Sequence, residues 1–124
     1  MNTEIPAHAL PADFSQWMEA IGCALTITDI EGKIIYMNER ARTTYKAHGD
    51  LVGKNMMPCH SQASQELIRY MLETGETHTY TVTKGGIRKL IFQTPWKKDG
   101  VIAGMAELSI PLPEKMVHYD RDKA

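Results

Sequence analysis

Apolar residues recur at helical spacing in the N-terminal part of the chain. The stripe consists of Phe14, Trp17, Met18 and Ile21, at positions i, i+3, i+4 and i+7. With Pro11 in the first turn and Gly22 after the last residue, the pattern predicts an amphipathic helix over 11–21. The stripe either packs on the domain's own sheet or forms a dimer interface, because a Trp-bearing helix outside the core would expose a large apolar patch.

A second and longer helical pattern lies in the middle of the chain. It runs from Ser61 to Thr74 and ends at Gly75, a residue that commonly terminates helices. Its apolar face consists of Leu67, Ile68, Met71 and Leu72. An apolar stripe of this width is typical of a helix that packs with one side against the rest of a domain.

Alternating apolar and polar residues before this helix predict a β-hairpin. Its strands cover 24–29 and 33–37, and Gly32 supplies the positive φ that a short turn needs. Asn38 follows the second strand and is a good N-cap for a short helix that ends near Tyr45. The segment therefore predicts the order strand, turn, strand, helix.

The second half of the chain predicts three further strands. They cover 76–84, 87–96 and 101–110, with turns at Gly85-Gly86 and at 97–100. Within the last strand, Gly104 allows a bulge or the close approach of a neighbour. Two strands, several short helices and three strands are typical of an α+β fold. We expect a five-stranded antiparallel sheet with helices on one face.

Composition limits the classes of function. The 124 residues suit one domain, and a net charge of −1 provides no basic field, so we do not expect nucleic acid as a partner. The apolar runs are far shorter than the roughly 20 residues that span a bilayer, so we expect no membrane contact. The N-terminus also lacks the pattern of a signal peptide. These features predict a cytoplasmic protein.

Several short segments of the chain form a further pattern. They are Asp29-x-x-Gly32-Lys33-Ile34-Ile35-Tyr36-x-Asn38, Leu51-Val52-Gly53-Lys54-Asn55, the Gly85-Gly86 hairpin, Pro95-Trp96 and Asp99-Gly100-Val101-Ile102-Ala103-Gly104. In this order and spacing the segments resemble a PAS domain, the small sensor module of bacterial signalling proteins. The resemblance implies the sheet order 2-1-5-4-3, with a pocket between the sheet and the long helix. We expect a flexible leader over 1–10, one PAS-like domain over 11–112 and a charged tail over 113–124.

The resemblance disfavours flavin as a cofactor. The light-sensing branch of the family binds flavin through a cysteine in a Gly-x-Asn-Cys segment, but here Met56 follows Gly53-Lys54-Asn55. Cys59 comes three residues later, as either a redox-active thiolate near a helix N-terminus or a small buried apolar residue. With Cys23 as the only other cysteine, we expect no disulfide framework and no zinc site.

Haem is a candidate cofactor on the same resemblance. Haem-sensing PAS domains ligate iron through a histidine on or near the long helix, and neutral imidazole is a good iron ligand. His60 directly precedes the helix and is the first candidate ligand. His78, on the same strand face as Tyr80 and Val82, is the second. The alternative is that His60 only caps the helix or lies on the surface.

A small apolar or amphipathic molecule is the other candidate occupant of the pocket. The residues expected to form the pocket are Leu25, Ile27, Tyr36, Met57, Leu67, Ile68, Met71, Phe92, Gln93 and Met105. The alternative is a core that is packed throughout. Eight methionines are compatible with both, because flexible side chains fill gaps and also line adaptable pockets.

These observations predict a non-catalytic bacterial sensor that binds a small molecule, haem included, and passes a packing change through its terminal helix. The alternative is an interaction module without a ligand. It would use the stripe of the N-terminal helix and the sheet face to bind a second copy of itself or a separate signalling protein. An enzyme is disfavoured, because the chain contains no glycine-rich phosphate loop, no convincing carboxylate pair and no metal motif.

Overall fold

The computed structural model describes residues 14–123, apart from the side chains of Phe14 and Cys59. The helices are α1 Phe14–Ala20, α2 Glu39–Thr44 and α3 Gln62–Thr74, with short 3₁₀ turns at Lys46–His48 and Met57–Cys59. The strands are β1 Ala24–Asp29, β2 Ile34–Met37, β3 His78–Lys84, β4 Ile87–Lys98 and β5 Val101–Pro111. The predicted leader and the start of the predicted helix over 11–21 lie outside the described residues.

The five strands form one antiparallel sheet in the order β2-β1-β5-β4-β3. Strands β1 and β2, β3 and β4, and β4 and β5 pair as neighbours in sequence. Strand β5 returns to pair with the whole of β1, from Ala24 opposite Ser109 to Asp29 opposite Gly104. This pairing joins the N-terminal two strands to the C-terminal three. The predicted α+β class and the predicted strand order are confirmed.

Local sequence explains where the helices begin and end. The side chain of Asn38 caps α2 by accepting a hydrogen bond from the main-chain N–H of Ala41, as predicted. Ser61 caps α3 in the same way and accepts from the N–H of Ser64. The helix α3 ends at Gly75, whose φ of 82° places it in the left-handed region. The capping residues therefore fix both ends of the long helix.

The main core lies between the sheet and the helices α2 and α3. Its buried members are Ala24, Ile34, Met37, Ala41, Met56, Ile68, Met71 and Met105. Ile68 and Met71 bring α3 onto the sheet, and Leu72 packs partly buried beside them. Leu67, predicted for the same apolar face, has 56% of its surface exposed, so it lies at the margin of this contact.

Strand pairing assigns each residue of the sheet to one of two faces, because residues directly opposite each other point to the same side. We call the face that carries Met105, a member of the core beneath α3, the inner face. The other side is the outer face. The pairs Thr28–Met105 and Thr26–Glu107 belong to the inner face, and the pair Leu25–Leu108 belongs to the outer face.

The strand ends differ slightly from prediction. β4 continues to Lys98 and β5 to Pro111, whereas β3 begins only at His78. These shifts lie within the last residues of each strand and leave the pairing unchanged. Within residues 14–123, no helix is both long enough and apolar enough to cross a membrane.

Candidate functional site

A cleft of about 520 Å³ lies between α3 and the inner face of the sheet at β3 and β4. It is lined by His60, Ser64, Leu67, Ile68, Thr77, His78, Thr79, Tyr80 and Gln93. The cleft is open to solvent, since Leu67 on one wall and Tyr80 on the other are both exposed. Its volume falls within the range of roughly 300–1,000 Å³ that is common for small-molecule sites.

Five of the residues expected from sequence meet in this cleft. They are His60, Leu67, Ile68, His78 and Gln93. Met71 and Met105 are fully buried in the core, and Met57 packs against that core partly buried. The structure therefore brings the two candidate histidines to the same cavity as the helix residues expected to line it.

Four other residues expected in the pocket lie elsewhere. Leu25 and Phe92 are both register partners of Leu108, and Ile27 is a partner of Ala106, so all three belong to the outer face. Tyr36 pairs with Ile27 and shares that face. Both faces of this sheet carry apolar residues, so alternation alone does not reveal which set faces α3.

Tyr36 instead connects the sheet to α1. Its hydroxyl donates a hydrogen bond of 2.8 Å to the carboxylate of Glu19, which also pairs with the guanidinium of Arg42. Burial and the neighbouring carboxylate raise the pKa of Tyr36 to about 12. The hydrogen bond from Arg42, followed by that from Tyr36, holds the pKa of Glu19 below its usual value. These contacts fasten α1 to β2 and α2.

The side chains expected at a dimer interface lie on this same helix. Trp17 is 51% exposed and Met18 is 37% exposed, whereas Ile21 is half-buried. The side chain of Phe14 lies outside the described residues. Part of the predicted stripe on α1 therefore faces solvent in the single chain.

A row of polar residues crosses the inner face beside the cleft. It runs from Thr26 on β1 through Glu107 on β5 and Gln93 on β4 to His78 on β3. Thr26 and Gln93 are buried. Helix-facing positions of a sheet are usually apolar, so a continuous polar row here requires internal hydrogen bonds or a ligand.

Gln93 is the centre of this row. It is only 4% exposed, and its Nε2 donates to a carboxylate oxygen of Glu107 at 2.8 Å and to the hydroxyl of Tyr80 at 3.4 Å. A carboxylate only accepts hydrogen bonds, so the Glu107 contact fixes which end of the amide is the nitrogen. The Gln93 amide is thus held in one orientation at the cleft wall.

Two tyrosines near Glu107, Tyr80 and Tyr45, have a raised pKa. Burial, and after it the charge of Glu107, raise the pKa of Tyr80 above its ordinary value. The pKa of Tyr45, at the C-terminal end of α2, is raised by the same two causes in the same order. Glu107 and Tyr80 were absent from the predicted pocket, although the alternation of β3 already placed Tyr80 on the same strand face as His78.

Two hydrogen bonds with residues nearby in the chain hold His60 in place. Its Nδ1 lies 2.9 Å from the carbonyl oxygen of Met56, and its carbonyl accepts a hydrogen bond from the side chain of Gln65. A carbonyl cannot donate, so Nδ1 carries the proton. In the neutral ring Nε2 then remains an acceptor, which is the arrangement found in metal-bound histidines.

Within residues 14–123, the described His, Cys, Asp and Glu side chains form no cluster of three or more suited to a metal ion. The side chain of Cys59 lies outside that description, so its predicted redox role stays a prediction. Met56, at the position of the reactive cysteine in the light-sensing branch, is buried in the core.

The sequence matches no protein-family profile and no curated protein. By structure, the chain is similar to the Vibrio cholerae receptor VqmA, with 16% identity and a TM-score of 0.66, over 85% of this chain and 52% of that one. It is also similar to the PAS domain of the histidine kinase ThkA, with 13% identity and a TM-score of 0.60, over 71% and 97% of the two chains. This chain has the PAS fold.

A third similar PAS structure is the Vibrio cholerae Aer2 receptor, described as a dual PAS-heme oxygen sensor. It is 20% identical, with a TM-score of 0.56, over 73% of this chain and 95% of that one. At these identities the likeness establishes the PAS fold alone. The chain spans about half the length of VqmA, 52%.

One prediction about partners is contradicted by these comparisons. We expected no nucleic acid from the low net charge, but VqmA is described as a DNA-binding receptor of the LuxR type, and a second VqmA structure is a complex with ligand and DNA. The prediction failed because net charge averages over the whole surface of one PAS-fold chain. The net charge of the chain therefore does not indicate whether a protein that contains such a domain binds DNA.

Proposed function

We propose that this PAS-fold chain is a non-catalytic sensory domain that binds a small molecule in the cleft between α3 and the sheet. The observation that carries the proposal is Gln93, a buried and oriented amide at the wall of a cavity of about 520 Å³. Apolar side chains with a few convergent polar groups are typical of a ligand site. Here Leu67 and Ile68 supply the apolar wall.

The helix α2 provides a packed route from the cleft to α1. At one end of α2, Tyr45 packs against the core, and burial and after it the charge of Glu107 raise the pKa of its hydroxyl. At the other end, the side chain of Asn38 donates to the main-chain carbonyl of Met18 at 3.0 Å. A ligand that moves Gln93, and with it the hydrogen-bonded carboxylate of Glu107, should therefore change the packing of α1, which we propose as the output element.

Haem is the second candidate ligand, favoured by the orientation of His60. Its Nε2 would hold the iron, and bound haem would supply a centre for a diatomic gas. The opposite wall of the cleft is polar at Gln93, and among the described residues that line the cleft none is a lysine or arginine that could pair with the haem propionates. These two features favour a smaller molecule over haem.

Native mass spectrometry of the purified protein tests the proposal. Leu67→Trp fills the cleft from an exposed position on α3, so it should remove a co-purified molecule without unfolding the chain. Val101→Trp is the matched control, because Val101 is exposed at the β4–β5 turn and is not part of the cleft lining. A molecule retained equally by both variants would place the binding site outside the cleft.

A spectrum distinguishes the two ligand candidates. If haem is the ligand, added hemin should give a Soret band with the wild-type protein that His60→Ala abolishes. If the smaller molecule is the ligand, hemin gives no band that depends on His60, and the co-purified mass is below that of haem.

We also propose that the chain forms a homodimer through α1, supported by the exposed Trp17 and Met18 and by the description of VqmA as a dimer. This proposal is compatible with ligand sensing, because α1 would be both the dimer contact and the output element. The interaction module without a ligand remains the alternative function. A cytoplasmic location stays a prediction.

A further inference from the structure

The two edges of the sheet differ in what covers them. At one edge a loop bonds to β2, because the N–H of Ile34 donates to the carbonyl of Lys54 at 2.9 Å and the N–H of Gly53 donates to the carbonyl of Ile34 at 2.7 Å. At the other edge β3 pairs with β4, and within residues 14–123 no other main-chain segment bonds to β3. An uncovered edge presents a row of N–H and C=O groups to which a further strand can pair.

The edge strand β3 also lacks the features that usually protect such an edge. Its seven residues pair with β4 without a bulge, from His78 opposite Gln93 to Lys84 opposite Ile87. The strand contains no proline, and its one lysine stands at the last position. Every residue after His78 is exposed, and Tyr80 is 45% exposed. Threonine, tyrosine and valine, which make up most of the strand, favour extended structure.

The sequence around β3 is complementary to itself in the antiparallel direction. If Tyr80 lies opposite Tyr80 of a second copy, Glu76 of each copy lies opposite Lys84 of the other. On the outer face, threonine then meets threonine throughout, in the pairs Thr77–Thr83 and Thr79–Thr81. Aromatic pairs, threonine pairs and opposite charges all stabilise neighbouring strands. One surface can therefore serve both copies, as a two-fold interface requires.

The charges distinguish this register from its nearest rival. Centring the pair on Thr81 would also place threonine opposite threonine. It would, however, place Lys84 opposite His78 and Glu76 opposite Gly86, so neither charge would face one of opposite sign. The charges of Glu76 and Lys84 are both on exposed residues, where a second copy can reach them.

We propose that β3 pairs with β3 of a second copy of this chain in the antiparallel direction, with Tyr80 opposite Tyr80 at the two-fold axis. The two sheets then continue as one sheet across the axis. This contact is separate from the dimer proposed at α1, because Tyr36 fastens α1 to β2 at the opposite edge of the sheet.

The contact at β3 is weak because it is small. A strand edge of seven residues offers much less area than the roughly 1,600 Å² of a standard interface. We expect a dissociation constant on the order of 0.1–1 mM. The β3 contact is therefore dissociated at the lower concentrations of gel filtration, and it links α1 dimers to one another only in concentrated protein.

Sedimentation equilibrium over a concentration series tests the contact. The average mass of the wild-type chain should keep rising between about 0.05 and 1 mM. Lys84→Glu sets a like charge opposite Glu76 on both sides of the axis, so it should weaken this step about 10-fold. The double variant Glu76→Lys/Lys84→Glu restores opposite charges and should return to within about 3-fold of the wild type. Lys98→Glu is the matched control, because Lys98 is exposed at the far end of β4, and it should associate like the wild type.

Disulfide formation tests the register. Tyr80→Cys places two thiols directly opposite each other in the proposed pair, so air oxidation of concentrated protein should join two chains at this position. Thr81→Cys places two thiols opposite each other only in the rival register, and it should not cross-link. The wild-type chain shows the background from Cys23 and Cys59, and peptide mapping identifies the linked residues.

Three results would overturn the proposal. The first is a wild-type mass that stays constant up to about 1 mM, which would leave this edge to a strand from a different protein. The second is a Lys84→Glu variant that associates like the wild type, or a double variant that fails to recover. The third is a disulfide formed by Thr81→Cys and not by Tyr80→Cys.

Discussion

The indole Nε1 of Trp96 donates a hydrogen bond of 2.8 Å to the main-chain carbonyl of Thr28, across the strand that separates them in the sheet. Gly104 makes this contact possible. A Cβ at this position would lie 1.9 Å from the Thr28 oxygen and 2.6 Å from the indole nitrogen. The close approach that the sequence suggested at Gly104 is therefore the passage of a side chain from β4 to the backbone of β1.

Gly104→Ala should destabilise the protein by about 2–4 kcal/mol, because the added methyl group overpacks the site and breaks the indole hydrogen bond. Urea unfolding followed by circular dichroism measures this loss. Gly22→Ala is the control, since a Cβ at Gly22 meets no atom within 4 Å. Equal stability of the two variants would contradict the assignment of Gly104 as the point of closest contact.

Asn38 joins α1, β1 and α2 through one side chain. Its Oδ1 accepts from the N–H groups of Leu25 and Ala41, and its Nδ2 donates to the carbonyls of Met18 and Cys23. Asn38→Ala should cost about 3–4 kcal/mol, at roughly 1 kcal/mol for each lost hydrogen bond.

Asn55→Ala provides the matched comparison for Asn38→Ala. Among residues 14–123, the Asn55 side chain makes two hydrogen bonds, with Glu31 and Met57, and both are exposed to solvent. Its loss should cost about 1 kcal/mol in the same urea experiment. Hydrogen exchange should in addition rise in α1 of Asn38→Ala and stay unchanged there in Asn55→Ala. A smaller effect at Asn38 than at Asn55 would contradict this role.

The attachment of α1 should weaken in acid. Hydrogen bonds from Arg42 and Tyr36 hold the pKa of Glu19 below its ordinary value of 4.5. A depressed folded-state pKa contributes stability above the ordinary value, and that contribution is lost as the pH falls through the folded-state pKa. The difference in urea midpoint between wild type and Glu19→Gln should therefore be constant near neutrality and shrink below about pH 4.5.

The exposed carboxylate of Glu66 on α3 supplies the control for this pH profile. Glu66→Gln removes the same charge without touching Arg42 or Tyr36. Its urea midpoint should therefore follow that of the wild type as the pH falls. A Glu19→Gln difference that grows in acid would mean that Glu19 does not secure α1.

The proposed dimer is tested at Trp17. Trp17→Glu places a charge in the exposed stripe and should convert a dimer to a monomer in light scattering coupled to gel filtration. Val101→Glu introduces the same charge at a residue that is exposed at the β4–β5 turn, and it should remain a dimer. A wild-type chain that is monomeric at all concentrations, or a Trp17→Glu variant that stays dimeric, would contradict the interface.

Much of the fold follows from local sequence. The turns at Gly32 and Gly85-Gly86 and the caps at Asn38 and Gly75 are set by residues adjacent in the chain, and all of them have the expected conformation. The strand order is different, because the pairing of β1 with β5 joins residues about 80 positions apart. The resemblance to PAS domains supplied that order.

The face of the sheet that carries the site was harder to predict. Leu25 and Phe92 were expected in the pocket because they are apolar, yet their register places them on the outer face of the sheet, away from the cleft. Of the hydrogen-bonded polar pair formed by Gln93 at the cleft wall and Glu107 beside it, only Gln93 was named from sequence. A polar row on an inner sheet face becomes visible only when the strands are aligned, since its members are spread over four strands.

The central claim is that a small molecule occupies the cleft between α3 and the inner face of the sheet. Intermolecular nuclear Overhauser effects between the bound molecule and methyl-labelled protein measure this directly. We predict contacts to the methyl groups of Leu67 and Ile68. Contacts to Leu25 and Leu108 on the outer face, with none to the two α3 residues, would contradict the claim.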